Sequence, residues 1–168
     1  MSNADSGEED VDIAECAERR SKVPHAKVYR VHIDCETVKV ETPDPTGEQL
    51  LHKVDKRPCA FELIAEFVHC ENEVIEPGEK VDLRRHGLKG FITAHKEFVT
   101  IFINGDPFPI ERGERKVAEI LNNVGLAPES YILLEEKNGP PLPLAPNQPV
   151  KIHGCEIFHT QVQSGGSS

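Results

Sequence analysis

The sequence predicts an α+β fold built twice, each copy a mixed sheet packed on one helix. Three observations predict it. Apolar positions recur at a spacing of 70 residues over most of the chain. Within each copy, period-two alternation gives way once to a helical period and then returns. A proline stands ahead of the third strand pattern in both copies.

The repeat is read by sliding the chain on itself. "VHIDCETVKVE" (31–41) falls on "IFINGDPFPIE" (101–111), so Ile33 meets Ile103, Val38 meets Phe108 and Val40 meets Ile110. Leu50 and Leu51 meet Ile120 and Leu121, and Phe61 and Leu63 meet Tyr131 and Leu133. After a one-residue slip "PGEKVDL" meets "PNQPVKI", and after two more "FITA" meets "FHTQ".

The second copy has the cleaner signals. "VTIFIN" (99–104) is β-branched and aromatic, which suits a strand, and "FPIE" returns after a tight turn at "GDP". Val117, Ile120, Leu121 and Val124 then lie on one helical face, which Gly125 is placed to end. "YILLEE" is the third strand. "KNGPPLPLAPNQP" is mostly turn, with a short edge strand at Leu142 and Leu144. "VKIHGCEIFHTQV" supplies the last strand, broken near His153 and Gly154. The first copy repeats the order, and Thr46 with Gln49 forms a capping-box pattern at its helix.

This order and size point to a β-grasp, whose single helix must cover one face of the sheet. The expected organisation is a disordered acidic arm over 1–26, domain 1 over 27–95, domain 2 over 97–163 and a flexible tail over 164–168. The arm has seven acidic and three basic side chains and little apolar periodicity.

Composition narrows function. The net charge is −10, with no Trp and two Tyr. That repels a phosphate backbone and offers little base stacking, so no nucleic-acid partner is expected. No apolar run approaches the roughly 18 residues of a membrane span. The N-terminus lacks the apolar core of a secretory signal, so the expected location is the cytoplasm, with no membrane partner.

In its hairpin, helix, proline-led strand, Gly turn and last strand, the chain resembles ubiquitin. More closely, "PGEKVDLRRHGLKGFITA" and "PNQPVKIHGCEIFHTQV" resemble the bacterial multiubiquitin-domain family, over about residues 27–166. The resemblance implies two tandem ubiquitin-like β-grasp domains that act as a protein modifier, not an enzyme. It implies as partners a ubiquitin-activating-like enzyme, a conjugating enzyme, a JAB-type metalloprotease or other deconjugating peptidase, and target proteins. A bacterial setting, with defence against phage as a context, is also implied.

The family's functional tail transfers to Gly165 and Gly166, the expected conjugation terminus. Ser167 and Ser168 follow, so processing between Gly166 and Ser167 is expected first. Glycine suits such a terminus because it has no Cβ to obstruct a narrow active site. Residues beyond Val162 span on the order of 20 Å when extended. The alternative is a non-conjugated tandem adaptor that binds partner proteins. A sulfur carrier shares the diglycine, but is a single small domain with glycine at the very end.

Other candidates are weaker. His153 and Cys155 lie two apart, yet two ligands do not make a zinc site and no Cys-x-x-Cys occurs. His69 and Cys70 are adjacent, so on a strand they point to opposite faces. "GLKG" is too short to cradle a phosphate. "DLRRHGLK" (82–89) concentrates basic charge and reads as a solvated surface. No catalytic residue, metal or cofactor is expected.

Overall fold

The computed structural model describes residues 10–163, which divide into two units between His95 and Lys96. The first contains β1 (Asp10–Asp12), α1 (Ile13–Glu18), β2 (Val28–Ile33), β3 (Glu36–Val40), α2 (Gly47–Lys53), β4 (Phe61–Phe67), β5 (Glu73–Ile75) and β6 (Leu88–His95). The second contains β7 (Phe98–Ile103), β8 (Asp106–Glu111), β9 (Gly113–Lys116), α3 (Val117–Asn123), β10 (Tyr131–Glu136), β11 (Leu142–Pro143), β12 (Pro149–Ile152) and β13 (Ile157–Val162). These are mixed sheets with few helices, an α+β architecture.

The two main sheets have the same plan. In the first the order is β3-β2-β6-β4-β5, and in the second β8-β7-β13-β10-β11. At the centre β2 pairs in parallel with β6, through Ile33 with Phe91, and β7 with β13, through Phe102 with Ile157. Hairpins flank them. The positions aligned in sequence are buried in each unit's own core: Ile33, Val40, Leu50, Leu51 and Leu63 in the first, and Ile103, Ile110, Ile120, Leu121 and Leu133 in the second. Each fully buried Leu or Ile contributes about 1.5–3 kcal/mol.

Local chemistry fixes the helices. Thr46 caps α2: its hydroxyl accepts from Gln49 N–H at 3.2 Å, and Gln49 returns by accepting from Thr46 N–H at 2.9 Å. Lys116 stands at the same place ahead of α3 with no side-chain cap. Both helices end alike. Lys56 N–H donates to Leu51 and Leu126 N–H to Leu121, across left-handed residues Asp55 (φ 56°) and Gly125 (φ 79°).

Three details differ from the sequence expectation. The β7–β8 turn is Asn104-Gly105, both left-handed, with Asp106 and Pro107 already in β8. A two-residue loop with positive φ at both centres follows the strand twist, and Pro107 is tolerated because β8 is an edge strand. Next, β9 and β12 form a separate ribbon. The corresponding stretch of the first unit, 43–46, reads Pro-Asp-Pro-Thr, and Pro43 and Pro45 have no N–H to give. There the carbonyls alone serve, accepting from Leu83 and Val81, and the ladder shrinks to one bridge, Thr46 with Lys80.

The third difference corrects the disordered arm expected over 1–26. From residue 10 onward it is folded onto the first unit. β1 joins β2 in parallel, Asp10 beside Val28 to Asp12 beside Arg30. Val11, Ile13, Ala17 and Val23 are buried. Asp12 caps α1 by accepting from Ala14 and Glu15 N–H groups. The acidic density hid a short apolar series, and Asp10 and Asp12 have partners in Arg30, Lys39 and His32 that only the fold supplies. Residues 1–9 lie outside the described residues.

Candidate functional site

The expected site residues, Gly165, Gly166 and Ser167, lie outside the described residues. What the structure gives is the body that holds them. β13 runs between β10 and β7 in the second sheet, its register with β10 continuous from Glu136 beside Ile157 to Tyr131 beside Val162. Gln163 remains attached: its N–H donates to Ser130 O at 2.9 Å, and its Nε2 to Tyr131 O at 3.3 Å and Pro128 O at 3.4 Å. Covalent geometry limits the span from Gln163 to Gly166 to about 10 Å. The reach counted from Val162 is therefore shortened at its root. In the first unit β6 ends at His95, whose ring lies 4.6 Å from Phe61, and the chain continues into the next unit.

The second sheet also presents a face turned away from α3. Strand alternation places Thr100 and Phe102, Pro107 and Pro109, Ile132 and Leu134 there, with Ile157 on β13. Phe102 lies between Pro107 and Ile157, and Leu134 beside His159. Ile157 is 39% and Phe98 62% exposed. On the same face His159 Nε2 meets Glu136 Oε2 at 2.7 Å. The first unit substitutes polarity at these positions: His32 for Phe102, Lys39 for Pro109, Glu62 for Ile132 and Gly90 for Ile157. Gly90 is required by packing, since a Cβ there would meet the His32 carbonyl oxygen at 2.8 Å. The pattern of outward residues was present in the sequence, but only pairing shows which of them adjoin.

The charged groups are used within the first unit. Arg85 forks onto Glu73 with bonds of 2.8 and 2.9 Å and lies 4.4 Å from the Phe67 ring centre. That hydrogen bonding holds the Glu73 carboxyl below its ordinary value and raises Arg85. Arg84 Nε donates to Val23 O at 3.0 Å. The basic "DLRRHGLK" stretch is thus partly structural. His69 stacks on His86 at 6.1 Å. Among the described residues no three His, Cys, Asp or Glu side chains gather as a metal requires. No described helix is long and apolar enough to cross a membrane.

No curated protein and no solved structure matches the chain. The family comparison does find a match: residues 29–96, from within β2 through the end of β6 and including α2 but not β1 or α1, match the multiubiquitin family.

Proposed function

We propose that the chain is a ubiquitin-like protein modifier made of two tandem β-grasp units, conjugated to targets by a bacterial ubiquitination-like pathway. A JAB-type or other peptidase first cuts between Gly166 and Ser167. The Gly166 carboxylate then attacks the α-phosphorus of ATP on an activating enzyme, and pyrophosphate leaves. An enzyme thiol then displaces AMP from the Gly166 carbonyl to form a thioester, and the acyl group passes by thiol exchange to the conjugating enzyme and on to a nucleophile of the target, which frees the thiol. The chain supplies the terminus and no catalysis.

One observation supports this reading above the rest. The second unit repeats the matched unit's sheet order and buried positions, and its last strand leads directly to a diglycine. A rigid body with a short glycine end can stay outside an enzyme while the terminus enters.

The test is incubation with the peptidase, the activating enzyme and ATP. The expected product is a Gly166 adenylate or covalent enzyme adduct, and intact mass should show prior loss of two serines. No adduct from the chain truncated to Gly166 would sink the modifier reading. A non-conjugated adaptor is the second reading, favoured by the apolar outer face of the second sheet. It is separated by partner capture that survives deletion of the tail.

A further inference from the structure

We propose that the free edge of β3 in the first unit, with the hollow between β3 and α2, is a docking site for an extended segment of a partner protein. The segment adds a strand beside β3, carries apolar side chains at the alternate positions that face the hollow, and bears one acid. The inference goes beyond the modifier reading and does not depend on Gly166.

Each sheet ends at the second strand of its first hairpin, β3 or β8. In an antiparallel ladder, facing residues alternate between exchanging two backbone bonds and exchanging none. Pro107 and Pro109 have no N–H, and Phe102, opposite Pro107, spends its N–H on Glu156 O at 2.9 Å on the other side of β7. These prolines therefore stand at the non-bonded positions, where backbone groups turn outward. Thr37 and Lys39 hold the same register in β3, opposite His32 and Arg30. Their N–H and C=O groups turn outward too.

The second unit closes this edge and the first leaves it open. The two prolines remove both outward donors of β8, a device that blunts a sheet edge. Asn123, at the end of α3, then meets an outward acceptor, its Nδ2 donating to Pro109 O at 2.9 Å. The aligned residues of the first unit are Thr37, Lys39 and Lys53. Both donors are kept, and among the described residues no backbone group meets Thr37 or Lys39 on the outward side. Both residues are exposed. Unmet donors and acceptors two residues apart along a strand fit another extended backbone.

A hollow of about 510 Å³ lies between the end of β3 and α2, lined by Val40, Pro45 and Leu50, with Glu41, His52 and Lys53. In an added strand, the residues between those paired with Thr37 and Lys39 point to the side of Val38 and Val40, where the hollow is. Apolar side chains suit that lining. Lys53 supplies the charge. Lys39, Lys56 and Lys80 of the first unit each stand within 4.0 Å of an acid, and among the described residues Lys53 does not. Glu41 lines the same hollow, so the charges there call for one acid and not an acidic run.

Selection from random linear decapeptides displayed on phage tests this, with the full chain as bait and its Lys39→Pro variant as counter-bait. Peptides enriched on the parent should alternate apolar residues and hold one acid. A synthetic copy of the most enriched should bind one to one and slow amide exchange at Thr37 and Lys39 at least about tenfold. Its affinity should fall at least about tenfold on Lys39→Pro. N-methylation of one alternate set of its amides should abolish binding, and of the other set should not, as strand pairing requires. Lys53→Glu leaves the backbone edge intact and should weaken binding about three- to tenfold, and lysine in place of the peptide's acid should recover it. Should Lys39→Pro fail to fold, Lys53→Glu and the two N-methyl sets decide alone. The proposal is overturned if no selected peptide loses affinity on Lys53→Glu, or if both N-methyl sets bind equally. It is also overturned if a second copy of the chain takes the edge instead, seen as self-association that a folded Lys39→Pro chain lacks.

Discussion

Asp34 holds Thr93 through both carboxylate oxygens: Oδ1 accepts from Thr93 N–H at 2.8 Å and Oδ2 from its hydroxyl at 2.7 Å. The clamp fastens the first hairpin turn to the last strand of the unit. Asn104 and Thr160 repeat it in the second unit, where Oδ1 accepts from Thr160 N–H at 3.0 Å and Nδ2 donates to the hydroxyl at 2.8 Å. The two versions differ in charge. Lys56 Nζ completes the first, 2.9 Å from Asp34 and 2.7 Å from Thr93. The corresponding residue of the second unit is Leu126, since a neutral amide requires no cation.

Acid should therefore loosen the first unit's clamp and spare the second's. Burial pushes the Asp34 carboxyl up, but hydrogen bonds from Lys56 and Thr93 outweigh it and hold the group below its ordinary value of 3.8. Asp12 is also lowered: burial raises it, and His32 with the α1 N–H groups more than compensates. On acidification the unfolded chain takes up these protons first. The stabilisation is whole at neutral pH, fades from the ordinary value downward, and is gone below the folded value. Hydrogen exchange at pH 7 and pH 3 should show β2 and β6 losing protection more than β7 and β13. Equal loss would contradict the assignment.

The clamps also predict a coupled pair. Asn104→Asp places a charge in a clamp that has Leu126, not a cation, at the position aligned with Lys56, and should destabilise the second unit at neutral pH. Adding Leu126→Lys should recover part of that, with a coupling of about 0.5–3 kcal/mol in a double-mutant cycle.

Capping can be moved between units. Thr46→Ala should cost about 0.5–2 kcal/mol by freeing the first-turn donors of α2. Lys116→Thr places a capping residue three before Glu119 and should gain about 0.5–1 kcal/mol, read by denaturant unfolding.

The core is expected to respond unit by unit. Leu133→Ala should cost about 2–5 kcal/mol, since the side chain is fully buried between α3 and the sheet. Gly90→Ala should destabilise the first unit through contact with the His32 carbonyl. Thermal unfolding with unit-specific NMR probes checks both.

On the outer face, Phe102→Glu and Ile132→Glu should leave the unfolding midpoint nearly unchanged while weakening capture of protein partners. A large fall in stability with intact capture would remove this face as an interface.

Much of the fold was legible because burial follows period. Val117, Ile120, Leu121 and Val124 announce a helix from spacing alone, and Thr46 with Gln49 announces its start. The sequence by itself determined the two copies, the element order and the buried rows, because alternation and helical period are properties of the chain. Only the tertiary structure decided three other matters. Residues 10–23 fold because Val11, Ile13, Ala17 and Val23 find a core on the first unit, with Asp10 and Asp12 meeting Arg30, Lys39 and His32 at its rim. Asp34 and Thr93, 59 positions apart, meet because parallel pairing at the sheet centre joins chain ends. Gln163 is tied to the loop before β10, so the chain is still held to the body one residue past the last strand. Each depends on a partner distant in sequence, which local pattern cannot name.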